Sequence, residues 1–270
     1  MTPADAYPGG YSRDEEVTAM TLPTTRTRPT LPWQVTGVLA VVAHPDDESF
    51  GLGAVLAELI SQGARASVLC FTHGEASTLH GRPGELAVVR SQELTEAGAA
   101  LGLSRVELHD YPDGNLVGIP LDELGAHVLR LIGEERPSHL LVFDLGGVTG
   151  HPDHHHATRA ALLAAGTGGL PVLAWAVPRS VAEQLNAELG TAFVGRDPAE
   201  LDATLFVRRE LQAVAIARHR SQSADNPVLR RRLELLGDRE YLRSIHPSAW
   251  TPTTPRRTES GHVRPRVVTP

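Results

Sequence analysis

Two short stretches hold residues whose types and spacing can do chemistry. In the first, His44-Pro45-Asp46-Asp47-Glu48-Ser49-Phe50-Gly51, a histidine and three consecutive acids follow directly on an apolar run. The second, Gly150-His151-Pro152-Asp153-His154-His155-His156, repeats His-Pro-Asp and ends in three histidines. Adjacent carboxylates repel one another, and a divalent cation would relieve that crowding. Histidines and carboxylates drawn from two loops are the donors a zinc site uses. Either His-Pro-Asp taken alone is compatible with a helix cap, since Asp and Ser cap helices routinely. Two of them, each where a strand should end, point to one shared metal.

Helical spacing narrows the ligands in the second stretch. A helix beginning near Asp153 makes that residue the N-cap. It also puts His154 on one stripe with Thr158, Ala161 and Ala165, whose small side chains suit packing on a sheet. His155 and His156 turn progressively away and are expected at the surface. His154 is therefore the favoured ligand, and His151 lies in the loop just before, within reach of a metal-bound substrate.

The elements that must position these stretches alternate along the chain. Residues 35–43 form a near-continuous apolar run, as expected of a strand covered on both faces. Leu52, Leu56, Leu59 and Ile60 then recur at helical spacing, with Gly63 as a stop signal. Strands are predicted over 65–72, 105–111, 139–145 and 171–177. Helices are predicted over 85–101, 121–135, 153–165 and 180–189. A further strand near 203–207 and helices near 208–219 and 227–236 follow. Strand and helix at this spacing mean βαβ units: an α/β fold with a mostly parallel sheet and helices on both faces, an αβα sandwich. Ligands of such sheets sit beyond the carboxyl ends of the strands, where both His-Pro-Asp stretches fall. Residues 1–32 and 251–270 are rich in Pro, Thr and charge without apolar period. They are expected to be disordered arms flanking one domain over 33–250.

Composition narrows the function classes. A formal net charge of −7 with no basic stripe argues against a nucleic-acid partner. The one basic cluster, Arg230-Arg231-Arg232, is expected to be a solvated helix face. No apolar run reaches the roughly 20 residues that span a bilayer. The first residues show neither a basic n-region nor an apolar h-region, so no secretory signal is expected. Cys70 is the single cysteine and is expected to be buried and inert. No disulfide within the chain is then available, which suits a cytoplasmic setting. All 25 basic residues are arginine, which removes Schiff-base chemistry and the phosphate-loop lysine.

AHPDDE before a helix, then FTHGEA, then GHPDH: this series resembles the PIG-L or LmbE-like deacetylases. These are zinc-dependent N-acetylglucosaminyl deacetylases that include enzymes of mycothiol and bacillithiol metabolism. The resemblance is good over about 35–165 and weak beyond. It implies a Rossmann-like domain, in agreement with the alternation above. It also implies that His44, Asp47 and His154 hold one Zn2+ per chain, with Fe2+ as an alternative occupant. Two imidazoles and a carboxylate leave an open position for water, whose pKa zinc lowers to about 7. By the same resemblance Asp46 is the general base, a choice that spacing alone leaves open between Asp46 and Asp47. His151 matches the histidine that stabilises the oxyanion or protonates the leaving amine. Glu48 matches a supporting residue close to the site. The segment before the second motif, DLGGVTG, lacks the proline common in the family.

Some substrate-side signals stand outside that series. Arg90 falls in the middle of the stripe formed by Leu86, Leu94, Ala97 and Leu101, and a charge there needs a partner. It is either a structural ion pair, with Glu93 for example, or a sugar-hydroxyl contact at the crevice rim. The family resembles this chain in an arginine here and an aspartate in a YPDG-like loop, here Asp113. Substrate contact is the favoured reading for both. Gly74 and Glu75 are expected at the mouth. Asp144 either orients a ligating histidine or caps a turn. His219 resembles a late family histidine, but complementing a helix dipole is the favoured reading. His73, His80, His109, His127, His139 and His246 are given no functional role. Trp33, Trp175 and Trp250 are too dispersed for an aromatic platform.

The expected activity is removal of an N-acyl group, acetyl first, from a GlcNAc-type amino-sugar conjugate. A mycothiol-conjugate amidase is the nearest alternative, and a non-catalytic sugar- or metal-binding relative the next. A nucleotide-binding Rossmann domain is disfavoured, because HPDDESFG offers acids where pyrophosphate needs backbone N–H groups. The expected partner is a small-molecule amino sugar, and assembly into a homo-oligomer is compatible with the sequence.

Overall fold

The computed structural model describes residues 31–79 and 85–246. The expected arms, apart from residues 31 and 32, lie outside these residues, as do His80 and Trp250. Five strands form the parallel part of the sheet: β1 (Gly37–Val42), β2 (Arg65–Thr72), β3 (Arg105–Tyr111), β4 (His139–Phe143) and β5 (Val172–Pro178). Three more follow: β6 (Gly195–Arg196), β7 (Ala203–Phe206) and β8 (Arg239–Ile245). The order is β3-β2-β1-β4-β5-β8-β7, and the two-residue β6 pairs with β5. β8 runs antiparallel to both β5 and β7.

The helices are α1 (Asp47–Phe50), α2 (Gly53–Ser61), α3 (Leu86–Leu101), α4 (Leu121–Glu135), α5 (Gly147–Gly150) and α6 (Pro152–Gly168). Next come α7 (Arg179–Leu189), α8 (Glu210–Ile216), α9 (Arg220–Ser223) and α10 (Pro227–Leu236). Apolar runs on β1 explain the layering. Side chains alternate across a strand, so Val38, Ala40 and Val42 enter one core with α2, α3, α7, α8 and α10. Leu39, Val41 and Ala43 enter the other, with α4 and α6. Both faces are covered, as the three-layer αβα expectation required.

Sequential strands fan outward from β1 on one side, and β4 starts the other side. The chain therefore reverses direction between β1 and β4, and a crevice opens beyond their carboxyl ends. The first motif leaves β1 there and the second leaves β4. Gly51 lets them approach: a Cβ on it would meet Phe143 Cζ, at the end of β4, at 2.6 Å.

β8 was not expected from the sequence. REYLRSI mixes charged and apolar residues without a strict alternation, and some of its charges are used internally. Glu240 is buried and accepts from Trp175 Nε1 at 2.7 Å and Arg209 Nη1 at 2.7 Å. The helix expected over 208–219 breaks after α8. His219 caps the short α9 instead and is fully buried, so it does not sit as an exposed complement to a helix dipole.

Candidate metal centre and catalytic cleft

His44 leaves β1 buried, and Asp47 opens α1 three residues later. Asp47 Oδ2 accepts the backbone N–H of Ala43 at 3.2 Å and of His44 at 3.0 Å, which fixes its carboxylate under the turn. From the other motif, His154 Nε2 lies 3.0 Å from Asp47 Oδ1 and 3.2 Å from His44 Nδ1. Ligand atoms of all three buried residues lie within 4.8 Å of one another. Two nitrogens and a carboxylate oxygen at that spacing fit a tetrahedral divalent ion with metal–ligand bonds of about 2.0–2.2 Å.

The outer ring nitrogens support that fit. His44 Nε2 stands 3.0 Å from Asp113 Oδ1 and 3.4 Å from Asp153 Oδ2. His154 Nδ1 stands 2.9 Å from Thr149 Oγ1. Ligating histidines characteristically engage a carboxylate or other polar group through the nitrogen that faces away from the metal. The electrostatics agree. Burial opposes a charge on His44, yet Asp113, Asp153 and Asp47 outweigh it and raise its pKa to about 10. Burial likewise opposes charge on Asp47, and His154 and His44 overcome it and hold its carboxyl well below the usual range. A ring of carboxylates that holds a proton this firmly is a field built for a cation. A second grouping, His44, His151 and Asp153, shares the same imidazole. Asp153 is already occupied there by the N–H groups of Gly114 at 2.8 Å and Leu116 at 3.1 Å.

Asp46 stands beside this cluster in an unusual backbone state, with φ 119° and ψ −28°. Non-glycine residues reach that region at a cost of about 1–3 kcal/mol. The surroundings hold it: its N–H donates to Glu48 Oε2 at 3.0 Å, and its C=O accepts from Ser49 N at 3.0 Å. Its side chain makes no capping bond to α1 and is free to face the cleft. Arg90 Nη2 donates to Asp46 Oδ2 at 2.9 Å and also to the carbonyl of Pro45. Burial raises Asp46 first, Arg90 pulls it back, Asp47 adds to the rise, and its pKa settles at about 6. A carboxylate tuned upward in this way is a better proton acceptor near neutral pH.

His151 is the N-cap of α6, in place of the expected Asp153; its Nδ1 accepts the N–H of Asp153 at 3.2 Å. The neutral ring therefore carries its proton on Nε2. Burial lowers its pKa, and the nearby His44 and His154 lower it further, so the ring is neutral at pH 7. Its ring centre is 4.8 Å from that of His44 and 5.3 Å from that of His154. The turn before it contains Val148 at φ 55°, a buried β-branched residue in the left-handed region, where the family's proline is missing.

Other expectations are revised. Arg90 is buried, and its guanidinium donates to Asp46, Pro45 and Gly74. Gly74, at φ 65°, has no room for a side chain against that guanidinium. Asp113 touches His44 as well as lining the cleft. Glu48 is buried, accepts the backbone N–H of Asp46 and pairs with His219 Nε2 at 2.6 Å. Asp144 does not orient a ligating histidine: it binds Arg196 Nε at 2.7 Å and Arg243 Nη1 at 2.5 Å. His156 is not at the surface; it is buried and bonded to the carbonyl of Ile119 at 2.8 Å. Arg232 is buried too, against the expectation of a solvated basic face. Cys70 is buried, and burial pushes its thiol pKa well up.

The cleft above the cluster has a volume of about 810 Å³ and is lined by Asp46, Arg90, Asp113 and His151, among others. A Rossmann-like sheet thus carries a buried His-Asp-His cluster and a raised carboxylate at its topological switch point, a donor set that suits a divalent ion.

Comparison with known proteins narrows that class. The chain belongs to the PIG-L family, described as GlcNAc-PI de-N-acetylase, and the family match runs over residues 39–165. A 1D-myo-inositol 2-acetamido-2-deoxy-alpha-D-glucopyranoside deacetylase 1 from Catenulispora acidiphila is 33% identical over 171 residues, 54% of this chain and 53% of that protein. A deacetylase acting on the same named substrate in Geodermatophilus obscurus is 30% identical over 223 residues, 66% of this chain and 76% of that one. This chain spans about half the length of several of the curated relatives it matches, such as the Catenulispora protein at 53%. In fold it is similar to N,N'-diacetylchitobiose deacetylase from Pyrococcus horikoshii, with TM-score 0.59 and 22% identity over 82% of this chain and 88% of that one.

Proposed function

We propose that this protein is a Zn2+-dependent N-deacetylase that hydrolyses the acetamide of an amino-sugar conjugate. The observation that carries it is the buried trio His44, Asp47 and His154 with the carboxylate of Asp46 beside it, held by Arg90 and making no capping bond to α1. The substrate named for the relatives, a 2-acetamido-2-deoxyglucoside of inositol, supports this substrate class.

Zn2+ bound by His44, Asp47 and His154 would polarise the amide carbonyl and acidify water, and Fe2+ suits the same donors. The protein's own groups do the rest. Asp46 accepts a proton from the water that adds to the carbonyl carbon. The Nε2–H of His151 donates to the oxygen that gains negative charge. As the C–N bond breaks, the proton held by Asp46 passes to the leaving nitrogen, giving acetate and the free amine. Arg90 holds the Asp46 carboxylate in place and limits the rise of its pKa. A mycothiol-conjugate-type amidase is the second reading. It breaks the same bond, and a cleft of about 810 Å³ has room for a bulky acyl group.

Among the described residues no helix is long and apolar enough to cross a membrane. A cytoplasmic setting is proposed, supported by the single buried thiol. The test is release of free amine from N-acetylated glucosaminides, N-acetylglucosaminyl-inositol first. Activity should vanish after dialysis against a chelator and return with one equivalent of Zn2+ or Fe2+. Failure to release amine from every acylated amino sugar at full metal occupancy would sink the reading.

A smaller effect follows from Arg90. Arg90→Gln removes the cation that restrains Asp46, so the base form is populated only at higher pH. The acid limb of kcat/KM should move up by about 1–3 pH units. An unmoved limb would show that Arg90 does not tune Asp46.

A further inference from the structure

Arg232 projects from α10 into the wall of the same cleft, and its residue surface is only 5% exposed. Its guanidinium lies 5.2 Å from the ring centre of Trp175, and Nη2 donates to the carbonyl of Phe50 at 2.5 Å. Nε is buried with no acceptor, and Nη1 donates to no described residue. Several other buried charges here are paired with an opposite charge: Arg90 with Asp46 at 2.9 Å, Asp144 with Arg196 at 2.5 Å, Glu240 with Arg209 at 2.7 Å. Among the described residues no carboxylate lies within ion-pair distance of Arg232, and Glu240, the carboxylate with the largest favourable influence on it, is spent on Trp175 and Arg209. The neighbouring cleft wall is apolar, built from Phe50, Phe193, Pro227, Val228 and Leu229. Burial lowers Arg232 to about 10, so it stays charged at neutral pH. A buried charge without a partner is costly, and the cost is recovered when a ligand supplies the counter-charge.

We propose that Arg232 is a specificity group that binds an oxyanion, a carboxylate or a phosphate ester, on the part of the substrate remote from the acetamide. The proposal rests on the deacetylase reading for the word substrate, and it deepens that reading from amino-sugar conjugates to anionic ones. A guanidinium presents a donor fork that suits both oxyanions, and a charge-assisted bond in an apolar wall discriminates strongly against neutral groups.

The test uses the full-length, Zn2+-loaded chain carrying Asp46→Asn, so that ligands are not consumed. Calorimetry compares N-acetylglucosamine, N-acetylglucosaminuronic acid and N-acetylglucosamine 6-phosphate, with and without Arg232→Gln. At least one anionic sugar should bind about tenfold or more tightly than the neutral one, and Arg232→Gln should bring that ratio towards one. The carboxylate and phosphate arms identify which oxyanion fits. A ratio near one in the parent protein, or a ratio that survives Arg232→Gln, overturns the proposal and leaves Arg232 a structural cation. Arg232→Lys keeps the charge without the fork; if Arg232→Gln does not fold, loss of the preference in the lysine variant carries the test. Turnover of neutral and anionic substrates by the wild type is measured separately. Binding preference without any turnover would sink the deacetylase reading and leave this one standing.

Discussion

Asp46→Asn is expected to lower kcat by about 10²–10⁴-fold, the range by which a positioned general base contributes, while Zn2+ stoichiometry stays at one. Asparagine is the fitting replacement for two reasons. It has nearly the same shape, and it tolerates positive φ better than most residues, which matters at φ 119°. Its amide oxygen can still accept from Arg90, so the loop has no new reason to move. What it lacks is a basic site for a proton. The pH dependence checks the assignment independently. In the proposed mechanism the base form of Asp46 is the working form, and its pKa is about 6. Wild-type kcat/KM should therefore fall as pH drops through about 6, and the residual activity of Asp46→Asn should lack that limb. A variant that kept both its rate and its acid limb would move the base to another residue.

The structure shows why part of this was legible in the sequence. β1, β2, β4 and β5 read clearly because helices cover both faces, leaving uninterrupted apolar runs. Parallel order then places the carboxyl ends of β1 to β5 on one side, so two loops 107 residues apart, counted from His44 to His151, had to share a crevice. What stayed hidden were charges whose partners come from distant strands. Asp144 looked free to orient a histidine, yet Arg196 from β6 and Arg243 from β8 claim it. Arg232 read as part of a solvated cluster, and only the closeness of α10 to Trp175 reveals it as a buried cleft residue. Asp153 sits between two candidate site histidines in His-Pro-Asp-His, and that spacing was a usable signal. It was read as a cap because a cap satisfies the local pattern, whereas its carboxylate in fact reaches across to His44 and to the 114–116 turn.

The same distinction between local and distant partners sets the size of the second large effect. His154→Ala should abolish stoichiometric Zn2+ binding and, with it, turnover. Removing a partner behind a ligand costs about 10–100-fold in metal affinity or activity, so removing a ligand should cost more. Thr149→Val provides the internal scale: it deletes the group 2.9 Å from His154 Nδ1 but leaves the imidazole in place. Its affinity should fall within that 10–100-fold window, and His154→Ala should fall below it. Competition against a chromophoric chelator reads both on the same axis. The loss of His154 also removes the largest influence pulling Asp47 down, so its carboxyl pKa should rise. A group with a depressed folded pKa contributes stability above its unfolded value of about 3.9, and that contribution is lost as pH falls through the folded value. In chelated protein the variant should therefore be less stable than wild type near pH 7. The gap should narrow in acid, as pH falls below the unfolded value of about 3.9 towards the depressed folded value, because the unfolded chain takes up the Asp47 proton first. Stoichiometric zinc in His154→Ala would mean that the ion is gripped elsewhere, for example by the second grouping of His44, His151 and Asp153.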